Sequence, residues 1–316
     1  MSPLALFRRI RNHAAMASGN FPALFRTLDI KPLPAAISRL LEEINHPDAD
    51  MARISRLIEA TPEIGAQVIK TVNSSLFGLR SPVLSIQHGV NLLGLEKIRS
   101  LVLSFAAVAA VNKPESTLFD QEAFWTDSLL RAIFARCLAR RHCPDQSDNS
   151  FTVMLVSDVA LPILLTSWQE YYQPVLAEWL ESEEHLSALE ERQFGWHHGQ
   201  AGAWILQHWN FPEEMICYVG LHNRSPQLAT ELDLTRTMAL PVMLAAMLPS
   251  SLRESESRAS RFIDQVQVHL GIDGEDLDRL IMEAEQGFVE ICELFGLCSV
   301  GARKILGQVE TAVQTA

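Results

Sequence analysis

Four side chains in the middle of this 316-residue chain are of the types that hold metals or move protons: Asp127 in FWTDSLL, Asp158 in MLVSDVAL, His198 in FGWHHGQAGAWIL and His222 in YVGLHN. Carboxylate oxygen with imidazole nitrogen suits Zn, Mn or Fe. Asp158 is the most informative of the four. The run Phe151 to Leu165, FTVMLVSDVALPILL, is otherwise almost wholly apolar. An unpartnered buried carboxylate costs a sizeable part of a domain's whole stability. Asp158 is therefore expected to hold a metal, hold a helix end, or face water.

Spacing alone does not join the four into one motif. His198 shares a helical stripe with Gly202, Ile205 and Trp209, and His197 shares the neighbouring stripe with Ala201, Trp204 and His208, so periodicity leaves both histidines open. Each residue also has a structural reading. A helical histidine among aromatics can simply hydrogen-bond backbone. Asp127 can cap a helix or pair with Arg131 four residues on. Ser157-Asp158 can supply helix-start hydrogen bonds. Trp168, Trp179, Trp196, Trp204 and Trp209 can line a pocket or pack a core.

Other chemistries lack their signatures. The sequence has no GxGxxG, GxxxxGKS or GxxxxGKT, GxSxG or HExxH pattern. Asp273-Gly274-Glu275-Asp276 lacks the calcium-loop pattern and reads as a turn and helix start. Cys137, Cys143, Cys217, Cys292 and Cys298 are odd in number and contain no CxxC, which argues for reduced thiols and against a disulfide framework or zinc ribbon. The net charge of -12 predicts no nucleic-acid partner. The local basic cluster Arg8, Arg9, Arg11, with Leu4, Leu6, Phe7 and Ile10, reads as a helix docked on the core or lying on a membrane surface. No secretory signal is evident. The longest apolar runs, Leu101 to Val111 and Met238 to Pro249, fall short of the ~20 residues a bilayer needs, so a cytoplasmic protein is expected.

The elements that must position these side chains are helices. Ile37, Leu40, Leu41 and Ile44 make one helical face, and Met51, Ile54, Leu57 and Ile58 another after a cap at Asp50. Thr61-Pro62-Glu63 predicts a helix start with a capping hydroxyl, followed by Ile64, Val68, Ile69 and Val72. Ser85 opens a helix that Gly94 interrupts. Lys113 to Ser116 reads as a hinge between two lobes, and a second helical set runs from about Gln121 to Asn223. The polar stretch Ser250 to Ser260 separates helices of the tail. Strand-like alternation is absent, so the fold is expected to be all-α.

LPAAISRLLEEINHPDADMARISRLIEATPEIGAQVIKTVNSSLFGL followed by SIQHGVNLLGLEKIRSLVLS closely resembles the first half of the HDOD domain, the HD-related output domain of bacterial signalling proteins. The pieces are Leu33-Pro34, Thr61-Pro62, Asn73-Ser74 and Leu92-Leu93-Gly94. Phe124-Trp125 to Ser128, Met154 to Leu165, Phe194-Gly195 to His198, Trp209 to Glu214 and Leu221-His222 fit the second half. The resemblance implies an N-terminal helical lobe packed on a degenerate HD-phosphohydrolase-like helical lobe, with a C-terminal helical extension. The expected division is a helical leader (1–24), an HDOD domain (25–225, lobes about 25–115 and 116–225) and an extension (226–316). It further implies a non-catalytic, stand-alone regulatory protein acting through contacts with signalling proteins of two-component or cyclic-dinucleotide pathways. Matched to the HD ligands, Asp127 stands for the first His, Ser157-Asp158 for the paired His-Asp, and His198 and His222 for the later histidines. The late Asp falls near Ala246. This leaves Asp127, Asp158, His198 and His222 as a vestigial metal set, with no cofactor expected. The alternative is a metal-dependent phosphohydrolase or phosphodiesterase acting on nucleotides or cyclic dinucleotides, with a single Mn, Fe or Zn ion.

Overall fold

The computed structural model of the protein describes residues 32–315, apart from 34, 47, 75, 76, 78, 80, 112, 254 and 273. The basic cluster at Arg8 to Arg11 and the 1–24 leader lie outside the described residues. The described residues form helices and connecting turns, with no strand; an isolated bridge joins Ser250 and Arg253. The fold is all-α, as the periodicity indicates.

In the first half, helices α1 (Ala35–Ile44), α2 (Met51–Glu59), α3 (Pro62–Val72), α4 (Ile86–Leu93) and α5 (Leu95–Ala110) each turn an apolar face inward. Ile37, Leu40, Leu41 and Ile44 of α1 are buried, as are Ile54 and Ile58 of α2. Asp50 caps α2 by accepting from the Ala52 amide at 2.9 Å, and Ser85 caps α4 through His88 N at 3.1 Å. Thr61 corrects one expectation. It sits at the start of α3, but its hydroxyl donates back to Leu57 O at 3.2 Å and does not cap. Asn73 closes the loop before α4 by donating to Val83 O at 2.8 Å and accepting from Val83 N at 2.7 Å. Gly94, at φ 83°, takes the left-handed bend that lets α4 pass directly into α5.

The second half is built around α6 (Gln121–His142). Every residue from Phe124 to Leu130, and again from Ala132 to Ala139, is buried, so α6 has no solvent stripe over most of its length. Helices α7 (Ser147–Val156), α8 (Ala160–Ser167), α9 (Gln169–Glu181), α10 (Leu186–Phe194), α11 (His198–His208) and α12 (Glu213–Leu221) follow. The break anticipated over residues 143–149 is shorter: a 3-10 turn at Pro144–Gln146 leads straight into α7. The two halves meet where α5 packs on α7. There Thr152 donates to Ser100 O at 2.8 Å, and Asp148 holds Arg136 at 2.8 Å and Lys97 at 3.3 Å.

The remaining helices are α13 (Gln227–Glu231), α14 (Ala239–Ala245), α15 (Glu256–Leu270), α16 (Gly274–Ile291) and α17 (Val300–Thr315). Of these, α14, α16 and α17 pack on α6, so the tail shares the core of the second half. The polar stretch after Ser250 is a separator only to Ser255; α15 is already helical from Glu256. Among the described residues one stretch, Pro144–Ser167, is long and apolar enough to cross a membrane, which the count of unbroken apolar runs did not show; 78% of its apolar window is buried inside the protein. Among the described residues no cysteine is in a disulfide.

Candidate functional site

Asp158 lies in the turn between α7 and α8, and it is 5% exposed. It does not start a helix: Ser157 donates back to Val153 O at 2.7 Å, and α8 has no side-chain cap. The helix-start reading of Ser157-Asp158 is therefore corrected. Asp158 Oδ2 accepts instead from Arg131 Nη1 at 3.1 Å, across from α6. Its Oδ1 faces His222 Nε2 at 3.1 Å and His198 Nε2 at 3.3 Å. The three expected solutions for this carboxylate omitted a fourth, a built-in guanidinium.

His198 opens α11, and its anchor is Glu190 of α10, a fully buried carboxylate. Glu190 accepts from the His198 amide at 2.8 Å and from its ring Nδ1 at 2.6 Å. Tyr172 donates to the same carboxylate. His222, at the end of α12, places Nδ1 2.7 Å from Val219 O. A carbonyl only accepts, so this Nδ1 carries the proton and Nε2 is the atom presented to Asp158. The two imidazoles thus have their far nitrogens fixed, one by a carboxylate and one by backbone, which is how metal-binding histidines are oriented.

Two glycines let these helices close. A Cβ on Gly199 would lie 3.1 Å from His197 Nδ1, His222 Cε1 and Val219 O, and one on Gly202 would lie 3.3 Å from Ser157 O. The same packing settles the choice between the adjacent histidines. His198 enters the site. His197 caps α11, its amide donating to Gln200 Oε1 at 3.1 Å. Burial, with the neighbouring His198 charge adding to it, pushes His197 down to about 2, so it is neutral. For His198 burial also acts against the cation, but Glu190 and Asp158 outweigh it and raise the ring to about 10. Burial acts against ionised Asp158 as well, and the two histidines more than reverse it, holding the carboxyl well below its usual range.

Asp127 is not part of this cluster. It accepts from Ser251 N at 2.9 Å, Ser251 Oγ at 2.6 Å and the Ser250 hydroxyl. It therefore ties α6 to the turn before α15, and neither caps a helix nor claims Arg131. Burial raises its pKa, and nearby Arg131 and the serine hydrogen bonds oppose that rise. Asp127, Arg131, Asp158, His198, His222 and Ala246 all line one cavity of about 100 Å³. Of the six tryptophans only Trp179 reaches it. Trp168 and Trp196 pack together at 5.9 Å, and Trp204 stacks on His208.

Among the described residues, Asp158, His198 and His222 form the one set whose ligand atoms converge, all within 4.8 Å. Three such donors fit one divalent ion. They do not fit two: Asp127 is engaged by serines, an alanine stands at 246, and the Arg131 guanidinium already neutralises Asp158.

The HDOD domain profile matches residues 30–225, and the chain belongs to the HDOD family. A curated relative, an uncharacterized protein of Treponema pallidum (strain Nichols), is 25% identical over 205 residues, covering 64% of this chain; the chain spans only 39% of that relative. Among solved structures, a protein of Shewanella amazonensis SB2B provisionally named a phosphohydrolase has a TM-score of 0.67 at 23% identity, covering 86% of this chain and 98% of its own. An HDOD domain protein of unknown function from Geobacter sulfurreducens has a TM-score of 0.63 at 19% identity, covering 90% and 98%. A protein of Marinobacter aquaeolei VT8, provisionally named a signal transduction protein, has a TM-score of 0.61 at 20% identity, covering 94% and 67%. These likenesses establish the helical fold.

Proposed function

We propose that the protein is a non-catalytic signalling module whose HD-like site has become structural, and that it works by contact with other signalling proteins, two-component or cyclic-dinucleotide pathway components being the expected class. The observation that carries this reading is the Arg131–Asp158 pair at 3.1 Å. A guanidinium supplied by the chain balances the carboxylate on which a metal centre would depend. With Asp127 committed to Ser250 and Ser251, the donors for a two-metal phosphoryl transfer are missing.

One observation favours a second reading, a metal-dependent phosphohydrolase or phosphodiesterase acting on nucleotides or cyclic dinucleotides. Asp158, His198 and His222 converge with anchored imidazoles, and would hold a single Mn, Fe or Zn ion. Such an ion supplies an activated water and polarises a phosphoryl oxygen. In that reading Glu190 keeps the His198 ring oriented, and the apolar wall around the site excludes bulk water.

The two readings part in a hydrolysis panel of nucleotides and of linear and cyclic dinucleotides, run with added Mn, Fe or Zn. The proposal expects no turnover and a stable signalling partner recovered from the native cell extract. Turnover that Asp158→Ala abolishes would establish the enzyme instead.

A further inference from the structure

The cavity wall carries a guanidinium that forms no ion pair among the described residues. Arg258 comes from α15, beyond the residues matched by the family profile, and lines the same cavity; it is 7% exposed. Among the described residues it makes one hydrogen bond, to Glu184 O at 2.9 Å, and no ion pair. Its Nε is buried with no partner, and so is the Nε of Arg131, which lines the same space. The other charged groups facing the cavity are already satisfied. Asp158 is held by Arg131 and two histidines, His198 by Glu190, and Asp127 by Ser250 and Ser251. Buried guanidinium nitrogens without acceptors are costly and are normally completed by a carboxylate, a carbonyl or a bound anion.

The rest of the wall is apolar. Leu118 and Phe119 come from the connector before α6, Leu161 and Leu165 from α8, and Leu176 and Trp179 from α9. Such a wall does not suit inorganic phosphate or a bare dinucleotide; it suits a short hydrocarbon or aromatic body. We infer that this cavity is a receptor site for a small organic anion, a carboxylate or phosphomonoester with an apolar body, whose charged head meets the free edges of Arg258 and Arg131. Burial, and the fields of Arg253, Arg131 and Arg261, outweigh the smaller opposing pull of Glu183 and depress Arg258 to about 9, a repulsion that a bound anion relieves. The inference does not depend on whether the site hydrolyses anything, since it is read by binding.

Isothermal titration calorimetry on the full chain tests it, with hexanoate, 3-phenylpropionate and phenyl phosphate as probes and hexanamide and inorganic phosphate as controls. The expected result is one site for an apolar anion and none for hexanamide; whichever head group binds tighter identifies the class. Arg258→Met should weaken binding at least about tenfold, the value of one charge-assisted hydrogen bond. Arg258→Lys should retain part of it, and Ala246→Phe, which fills the cavity, should abolish it with an unchanged melting temperature. Should Arg258→Met fail to fold, the lysine and phenylalanine variants carry the test. No heat with any of the three anions, equal binding of hexanamide, equal affinity for inorganic phosphate and phenyl phosphate, or unchanged affinity in Ala246→Phe would overturn the inference.

Discussion

Helices α1–α5 and the helices after residue 120 use polar side chains for opposite purposes. In the first half, polar groups end helices and close loops at the surface: Asp50 caps α2, Ser85 caps α4, Asn73 pins Val83. Its core is built from Ile37, Leu40, Ile58 and their neighbours with a few buried hydroxyls such as Ser55 and Ser104, and among the described residues it buries no charged side chain. In the second half the polar groups are inside. Asp127, Asp158, Glu190, His197, His198 and His222 are all buried, and each finds a partner on another element or at a helix end. A half held by apolar stripes loses stability when mutated and nothing more. A half held by buried charges loses stability and site geometry together.

The sharpest break of that contrast is Arg131→Met. Removing one member of a buried pair leaves Asp158 with the two histidines alone, at an expected cost of up to about 3 kcal/mol in urea unfolding. It should also change the ring environment of His198 and His222, visible in their NMR imidazole signals. Leu40→Ala, at a fully buried position of α1, should cost about 2–5 kcal/mol by leaving a cavity and should leave those signals unmoved. Movement of the site signals in Leu40→Ala would dissolve the distinction.

The two halves also differ in how much of them could be read from the chain. The first half was nearly all legible, because capping and amphipathic spacing act over a few residues: the inward faces of α1 and α2, the cap at Asp50 and the helix start at Ser85 stand as expected. Thr61 failed there because a hydroxyl has two nearby backbone targets, and Leu57 O won. In the second half the residue types of the site were legible but not their partners. Arg131 was read as a neighbour for Asp127, yet it bonds Asp158, 27 residues on. Glu190 gave no signal, being one of two adjacent acids, eight residues before His198. Arg258 arrives from a tail that carries no motif. A helix such as α6, buried on nearly every side, has no stripe to say which way Asp127 points.

Smaller effects sharpen the same contrast. Gly199→Ala should cost about 1–3 kcal/mol, because its Cβ would meet His197, His222 and Val219 O at 3.1 Å. Unchanged histidine geometry at full stability in that variant would show that α11 and α12 have slack. The pH dependence of stability should belong to the second half. His198 rises to about 10, so above its ordinary 6.5 the folded state keeps a proton that the unfolded chain releases, and stability falls as pH climbs between those values. His197 at about 2 and His185 at about 4 work the other way: below 6.5 the unfolded chain takes up protons that these burial-disfavoured rings refuse, and stability falls with pH. Melting temperature should therefore peak near pH 6.5, the ordinary histidine value; a flat profile would contradict the assignment. Smallest of all, Arg53→Ala in the first half removes the exposed arginine of a pair with half-buried Glu43 and should cost under about 1 kcal/mol.

The central claim is that Asp158 answers to Arg131 and not to a pair of metal ions. Elemental analysis by plasma mass spectrometry, on protein purified without chelator and dialysed against Mn, Fe and Zn, tests it directly. The account predicts at most one ion per chain, lost in Asp158→Ala. Two ions per chain, held together in that cavity, would contradict it.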